Sequence, residues 1–320
     1  MADVTDSVFR RLVAERGKPD VMFTEFVSAD GLMHPKGREK LLLNLEYSEI
    51  ERPIVAQIWG GKPENIEGAV TLVRELGFDG VDINMGCPDK GVEKQRGGAS
   101  HIRNCEHAKE IIAAAKRGAR STSSRQAGIP VSVKTRIGYK AFDPEWIKLL
   151  VDSGIAALTL HLRTREEMSK VPAHWHLASE LLSIRGQSAA GRSDRLPQLV
   201  GNGDVESLAD AKAKAEQSGF DGVMLGRAIF GNPWLFSGKP KPDWPEVFET
   251  VIYHSKLFEE TYGKPAQGWS ASGRNFAIMK KFFGAYVSGH PQAHAIKIAL
   301  MNCNSASEVE KVLTKFSCAL

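Results

Sequence analysis

The chain has 320 residues, of which 42% are hydrophobic and 25% charged. That is the balance of an ordinary globular protein, with room for one large domain and a smaller one. No apolar run is long enough to span a bilayer and MADVTDSVFRRL shows no leader pattern, so no membrane partner is expected. Four cysteines (Cys87, Cys105, Cys303, Cys318) stand far apart with no CxxC pair. This argues against a metal site and a disulfide framework, and sets the expectation of a cytoplasmic protein. A formal charge of +4 permits a nucleic-acid partner without demanding one.

In chain order, an amphipathic segment over residues 4–16 is followed by the apolar strand pattern PDVMFTEF and then by RPIVAQIWG. PENIEGAVTLVRELG opens on Pro63 and stops at Gly77, as a helix does. FDGVDINMGCP reads as a strand, HAKEIIAAAKRGA as a helix, PVSVKTRIG as a strand and PEWIKLLVDSG as a helix. AALTLHLRT, LPQLVGNGDV and FDGVMLGRAIF are three more strands, separated by the helices WHLASELLSIRG and SLADAKAKAEQSG. The seven strands are mostly continuous apolar runs, the mark of buried parallel strands. Repeated βα units fit an open sheet or a (β/α)8 TIM barrel. The barrel is favoured because Glu25, Gln57, Asn84, Lys134, His161, Asn202 and Arg227 all fall at strand C-termini, which a barrel gathers on one face. An eighth strand, first in order, is expected before Met1. The Ser-, Gly- and Arg-rich stretches 117–128 and 185–195 read as flexible loops on the opposite face. SGKPKPDWPEV reads as a linker, and helical spacing beyond it predicts two domains, 1–236 and 237–320, the second small and α-helical.

Cys87 lies between Gly86 and Pro88, just past a strand. A small buried hydrophobe is the plain reading, but a Gly-Cys-Pro turn lifts the side chain out of the sheet. No histidine is placed to make it a nucleophile and no companion ligand is at metal spacing, whereas a protonated thiol can donate a proton. Lys134, His161 and Gln57 are each unremarkable alone; a lysine can snorkel and a histidine can sit satisfied in a core. Converging on one mouth, they suit a planar hydrogen-bonding cofactor whose reduced form is anionic. Asn202, Gly203 and Asp204, with Gly226 and Arg227, offer N–H groups and a guanidinium suited to a phosphate.

MADVTDSVFR, RPIVAQIWG, DGVDINMGCPDKGVEKQRGGAS, VSVKTRIGY, LTLHLRTR, LVGNGDV and DGVMLGRAIFGNPW occur here in that order. On these motifs the chain resembles the dihydrouridine synthase family, FMN enzymes that reduce uridine in RNA. The resemblance implies an enzyme in which NADPH reduces FMN, hydride passes to C6 of uracil, and Cys87 protonates C5. It places Gln57, Lys134 and His161 against the isoalloxazine and ribityl groups, and Asn202, Gly203, Asp204, Gly226 and Arg227 at the FMN phosphate. Met1 would end the strand that lines the flavin. Asn84 would touch a flipped uridine. Lys90, Lys94, Arg96, Arg163, Arg274, Lys280 and Lys281 would meet RNA, with tRNA the expected class. Family members usually begin with a strand ending in a Pro-Met-type turn, and the run RTREEMSKVPAHW also departs from the commoner pattern. A flavin enzyme acting on a small pyrimidine, and a non-catalytic RNA-binding paralogue, are the competing readings.

Overall fold

The computed structural model describes residues 4–120, 128–188, 196–263 and 274–317. Helix α1 (Ser7–Gly17) is capped by Asp6, whose side chain accepts from the Phe9 N–H. Strand β1 (Met22–Ser28) follows, then two short helices, α2 (Ala29–Met33) and α3 (Pro35–Leu41). From there strands and helices alternate: β2 (Ile54–Trp59), α4 (Pro63–Glu75), β3 (Gly80–Met85), α5 (Lys90–Lys94), α6 (Cys105–Ala119), β4 (Val131–Arg136) and α7 (Pro144–Asp152). β5 (Ala157–His161), α8 (Ala178–Gly186), β6 (Gln198–Asn202), α9 (Leu208–Ser218) and β7 (Gly222–Met224) complete the series. The seven strands lie in the order β1 to β7, and every neighbouring pair is parallel. This is the winding of a TIM barrel, with β1 and β7 as the two edges among the described residues. Met1 lies outside those residues, as do Cys318 and most of the two Ser-, Gly- and Arg-rich stretches (121–127 and 189–195).

The strands carry more alternation than their apolar look suggests. Asp82 and Asn84, Ser132 and Lys134, Thr159 and His161 sit two apart and share one side of the sheet. Val81, Ile83 and Met85, with Val133, Leu158 and Leu160, occupy the other side and are buried. On α4, Ile66, Ala69, Val70 and Val73 repeat at helical spacing and are fully buried. The reading of mostly continuous apolar strands is therefore corrected: the inner side is a polar, hydrogen-bonded lining.

Beyond β7 come α10 (Trp244–Tyr262), α11 (Lys280–Tyr286), α12 (Ala293–Met301) and α13 (Ala306–Ser317). They share one hydrophobic cluster with the barrel. Phe9 on α1 packs against His254 and Phe282 with ring centroids 5.6 and 5.0 Å apart, and Phe230 stacks on Phe282 at 5.2 Å. The segment read as a linker is packed too: Lys241 donates to the Tyr286 carbonyl at 3.3 Å, and Trp244 meets His290 edge-on at 4.7 Å.

Candidate active site

A hydrogen-bonded lattice crosses the inner side of three adjacent strands. Gln57 on β2 donates from Nε2 to Asp82 Oδ2 at 2.8 Å, and its Oε1 accepts from Asn84 Nδ2 at 3.1 Å. Ser132 on β4 donates to Asp82 Oδ1 at 2.7 Å. Further round the mouth, Lys134 donates to Asn202 Oδ1 at 3.1 Å, and Asn202 Nδ2 donates to the Met224 carbonyl at 2.8 Å. Burial pushes the Asp82 carboxyl up to about 6, with Ser132, Gln57 and Lys134 holding it back. Withdrawal from water pushes Lys134 down to about 8, with Asp82 pulling it back up. At neutral pH the mouth therefore holds a carboxylate and an ammonium. Asp82 and Ser132 were not singled out from sequence; their signal is the period-two spacing to Asn84 and Lys134.

His161 is pushed down by burial and by the nearby cations Lys134, Arg136 and Arg163, to about 2, so it is neutral. Its Nε2 lies 3.2 Å from Arg163 Nη1. A guanidinium only donates, so Nε2 accepts and the proton is assigned to Nδ1. Arg163 also bonds Asp204 and donates from Nε to the Val171 carbonyl at 2.6 Å. It is 2% exposed. The expectation that Arg163 meets RNA is thus corrected: it is an internal clamp between β5 and the loop after β6.

The loop after β6 is built for close approach. Gly203 has φ 130° and Asp204 φ 49°, and a Cβ on Gly203 would meet the Ala173 Cβ at 2.8 Å. The Asp204 carboxylate accepts from Arg163, from the Ala173 N–H at 2.8 Å and from Arg227 Nη2 at 3.3 Å. The Arg163 hydrogen bond comes first among the causes that hold it below the usual carboxylate range. Among the described residues, the main-chain N–H groups of Gly203, Asp204, Gly226 and Arg227 donate to no protein group. Space beside Gly226 is open, and the Arg227 side chain is 72% exposed.

The Cys87 turn is fixed on every side. Asn84 Oδ1 accepts from both the Gly86 and the Cys87 N–H, at 3.1 and 2.9 Å. The Gly86 carbonyl accepts from Arg136 Nε at 3.0 Å, the Cys87 carbonyl from the Ala99 N–H at 2.9 Å, and the Pro88 carbonyl from Arg165 Nη2 at 3.0 Å. Burial pushes the Cys87 thiol above its ordinary 9.0; Asp89 and Glu93 add to this, while a backbone hydrogen bond and Arg136 oppose it. The thiol is therefore protonated at neutral pH. Gly98 closes the turn from behind, with φ 58°, and a Cβ there would lie 2.5 Å from the Cys87 carbonyl oxygen. Gly98→Ala is expected to cost about 2 kcal/mol, since it combines left-handed backbone with a clash. Gly186→Ala, whose Cβ would meet nothing, should change stability by less than about 1 kcal/mol. Chemical denaturation of the two variants checks this, and equal midpoints would contradict it.

Lys90, Lys94 and Arg96 are exposed on and beside α5, and Lys281 is exposed on α11. Lys280 is half-buried and donates to Asn304 Oδ1 at 3.1 Å. Arg274 corrects its expectation: its side chain is 9% exposed and bonds Glu25 at 2.9 Å and Asn44 at 2.8 Å, with Asp6 at 3.8 Å. It joins the N-cap of α1 and the middle of β1 to the helical region instead of facing outward. Among the described residues, no group of three or more His, Cys, Asp or Glu could hold a metal ion, and no helix is long and apolar enough to cross a membrane.

Fold and site together define a parallel α/β barrel-type protein whose strand ends carry a polar hydrogen-bonded lining, main-chain N–H groups that donate to no group among the described residues, and a protonated thiol. The model of a family described as Dihydrouridine synthase (Dus) matches residues 1–319. "Probable tRNA-dihydrouridine synthase 2" of Bacillus subtilis (strain 168) is 41% identical over 99% of this chain and 92% of its own. "Probable tRNA-dihydrouridine synthase" of Staphylococcus aureus (strain COL) is 39% identical over 99% of this chain and 91% of its own. Histamine dehydrogenase from Rhizobium sp. 4-9 overlays with a TM-score of 0.49 at 12% identity, over 87% of this chain and 48% of that one, too remote to bear on function. The chain belongs to the dihydrouridine synthase family.

Proposed function

We propose that this protein is an FMN- and NADPH-dependent tRNA-dihydrouridine synthase, reducing the C5–C6 bond of uridine. One observation carries the reading. Asn84 joins the polar lining to the thiol-bearing turn, donating from Nδ2 to Gln57 and accepting at Oδ1 from the Cys87 N–H. A single side chain thus fixes the candidate cofactor face relative to the candidate acid.

The residues present fit FMN. The four N–H groups at Gly203, Asp204, Gly226 and Arg227, which have no acceptor among the described residues, and the exposed Arg227 guanidinium suit its phosphate. Asp204 has an indirect part: a carboxylate repels phosphate, so its side chain holds Arg163 and Arg227 while its N–H faces the anion. Lys134 donates to one side chain, Asn202, among the described residues, which leaves ammonium hydrogens for an electron-rich ring. Gln57 and the assigned Nδ1–H of neutral His161 supply further polar contacts. Held there by these residues, FMN reduced by NADPH would supply the hydride for C6.

Cys87 gives its proton to C5, so hydride and proton together saturate the bond. The thiolate left behind lies beside Arg136, whose charge favours it. A uracil stacked in a helix hides this bond, so the nucleotide must be extruded into the mouth, where Asn84 meets it. Lys90, Lys94 and Arg96 contact the phosphate backbone from the rim, and the helical region from residue 237 grips the RNA, with Lys281 among its cations. Residues 1–236 form the catalytic part.

Purified protein supplied with FMN should carry a flavin absorbance band that bleaches on adding NADPH. A colourless protein that still binds tRNA would favour the non-catalytic reading.

A further inference from the structure

We infer that Arg165 and Glu93 form a positioning pair for Cys87, one that fixes its turn and balances the charge around its sulfur. The inference rests on the reading of Cys87 as proton donor. Arg165 lies in the loop after β5 and Glu93 on α5, in the segment that follows Cys87. Arg165 Nε lies 3.2 and 3.1 Å from the two Glu93 carboxylate oxygens, and Nη2 bonds the same carboxylate as well as the Pro88 carbonyl at 3.0 Å. One planar guanidinium therefore holds the residue next to Cys87 and the helix five residues further on. The side chains are 17% and 9% exposed, so solvent screens the pair weakly. The Tyr139 ring also lies against Arg165, 5.7 Å from ring centroid to guanidinium carbon.

This arrangement makes α5 and the turn one rigid body with the loop after β5. The basic, glycine-rich segment after Cys87 is then a fixed rim at the thiol. The pair also has an electrostatic part. The charged groups that bear on the Cys87 sulfur are Asp89 on its own turn, Glu93 on α5, and Lys134 and Arg136 on β4; Arg165 reaches the turn through the Pro88 carbonyl and Glu93. Glu93 bears on the thiol as a negative charge. Arg165 neutralises that charge where it stands, so removing either partner leaves the other uncompensated, with opposite sign.

The test is the pH dependence of Cys87 alkylation by iodoacetamide in the full-length protein, followed by mass spectrometry of the Cys87 peptide so that the other cysteines do not interfere. Glu93→Gln should lower the midpoint and Arg165→Gln should raise it, each by about half a pH unit. The double variant should return close to the parent. Midpoints that stay put, or that move the same way in both single variants, overturn the electrostatic role. Should Arg165→Gln fail to fold, Arg165→Lys carries the test: it keeps the charge but loses the fork. It should hold the midpoint within about 0.2 units while kcat for dihydrouridine formation falls several-fold with KM for RNA unchanged. A shifted midpoint or an unchanged kcat counts against the pair. Alkylation reads the thiol whatever it does in catalysis, so a failure here is distinct from a failure of Cys87 as the acid.

Discussion

Cys87→Ala should slow dihydrouridine formation by about 100-fold or more, the usual contribution of a positioned general acid, while FMN content and reduction of the flavin by NADPH stay at parent levels. The reason lies in how the turn is held. Its N–H groups go to Asn84 and its carbonyls to Arg136, Ala99 and Arg165. None of these bonds uses the thiol, whose own backbone contact is with Asp89, so losing the sulfur leaves them in place while it removes the proton. The pH profile gives a second readout. Burial keeps the thiol protonated beyond its ordinary 9.0, so an acid in this place works undiminished through neutrality and fails only in alkali. An alanine variant with normal turnover would rule Cys87 out as the proton donor.

Lys134→Met should weaken FMN binding by about 10- to 100-fold, the equivalent of roughly 1.5–3 kcal/mol for one charge-assisted hydrogen bond. Titration of the apoprotein with FMN reads this directly, and unchanged affinity would remove Lys134 from the cofactor site. The same substitution leaves a signature without cofactor. The folded pKa of Asp82, already about 6 against an ordinary 3.8, rises further once the Lys134 charge is gone. A carboxyl raised in this way contributes stability at low pH that is lost as pH climbs through its folded value. In the parent that loss is complete a little above pH 6. In the variant the loss should end at a higher pH, so apoprotein stability relative to the parent falls above pH 6. Parallel stability curves from pH 6 to 8 would mean that Asp82 and Lys134 do not sense one another.

Much of the frame was legible because barrel strands are punctuated. Each of the seven strands was found from an apolar run bounded by Gly or Pro, and the residues at their C-terminal ends were the ones to examine. The Gly-Cys-Pro turn could be read locally for the same reason. Residues whose role depends on a distant partner were not legible. Arg163 and Arg274 look like surface cations, yet the partners that bury them, Asp204 and Glu25, lie 41 and 249 positions away. Asp82 was hidden inside an apparently continuous apolar strand, because its acceptance of Ser132 and Gln57 spans three strands. Helices α2 and α3 went unread: they are short, and ADGLMHPKGREK carries two glycines and a proline where helical periodicity would be sought. Arg136 and Arg165 sat in plain view within quoted motifs, but only the fold shows that both end on the carbonyls of the Cys87 turn.

The central claim is that this chain reduces uridine in tRNA with the Cys87 turn supplying the proton. The most direct measurement is to incubate the purified protein with FMN, NADPH and an unmodified tRNA transcript, then map dihydrouridine by mass spectrometry. The account predicts two hydrogens gained at one or a few uridines, dependent on NADPH and lost in Cys87→Ala. A flavin-loaded protein that oxidises NADPH but leaves every uridine in tRNA unreduced would contradict it.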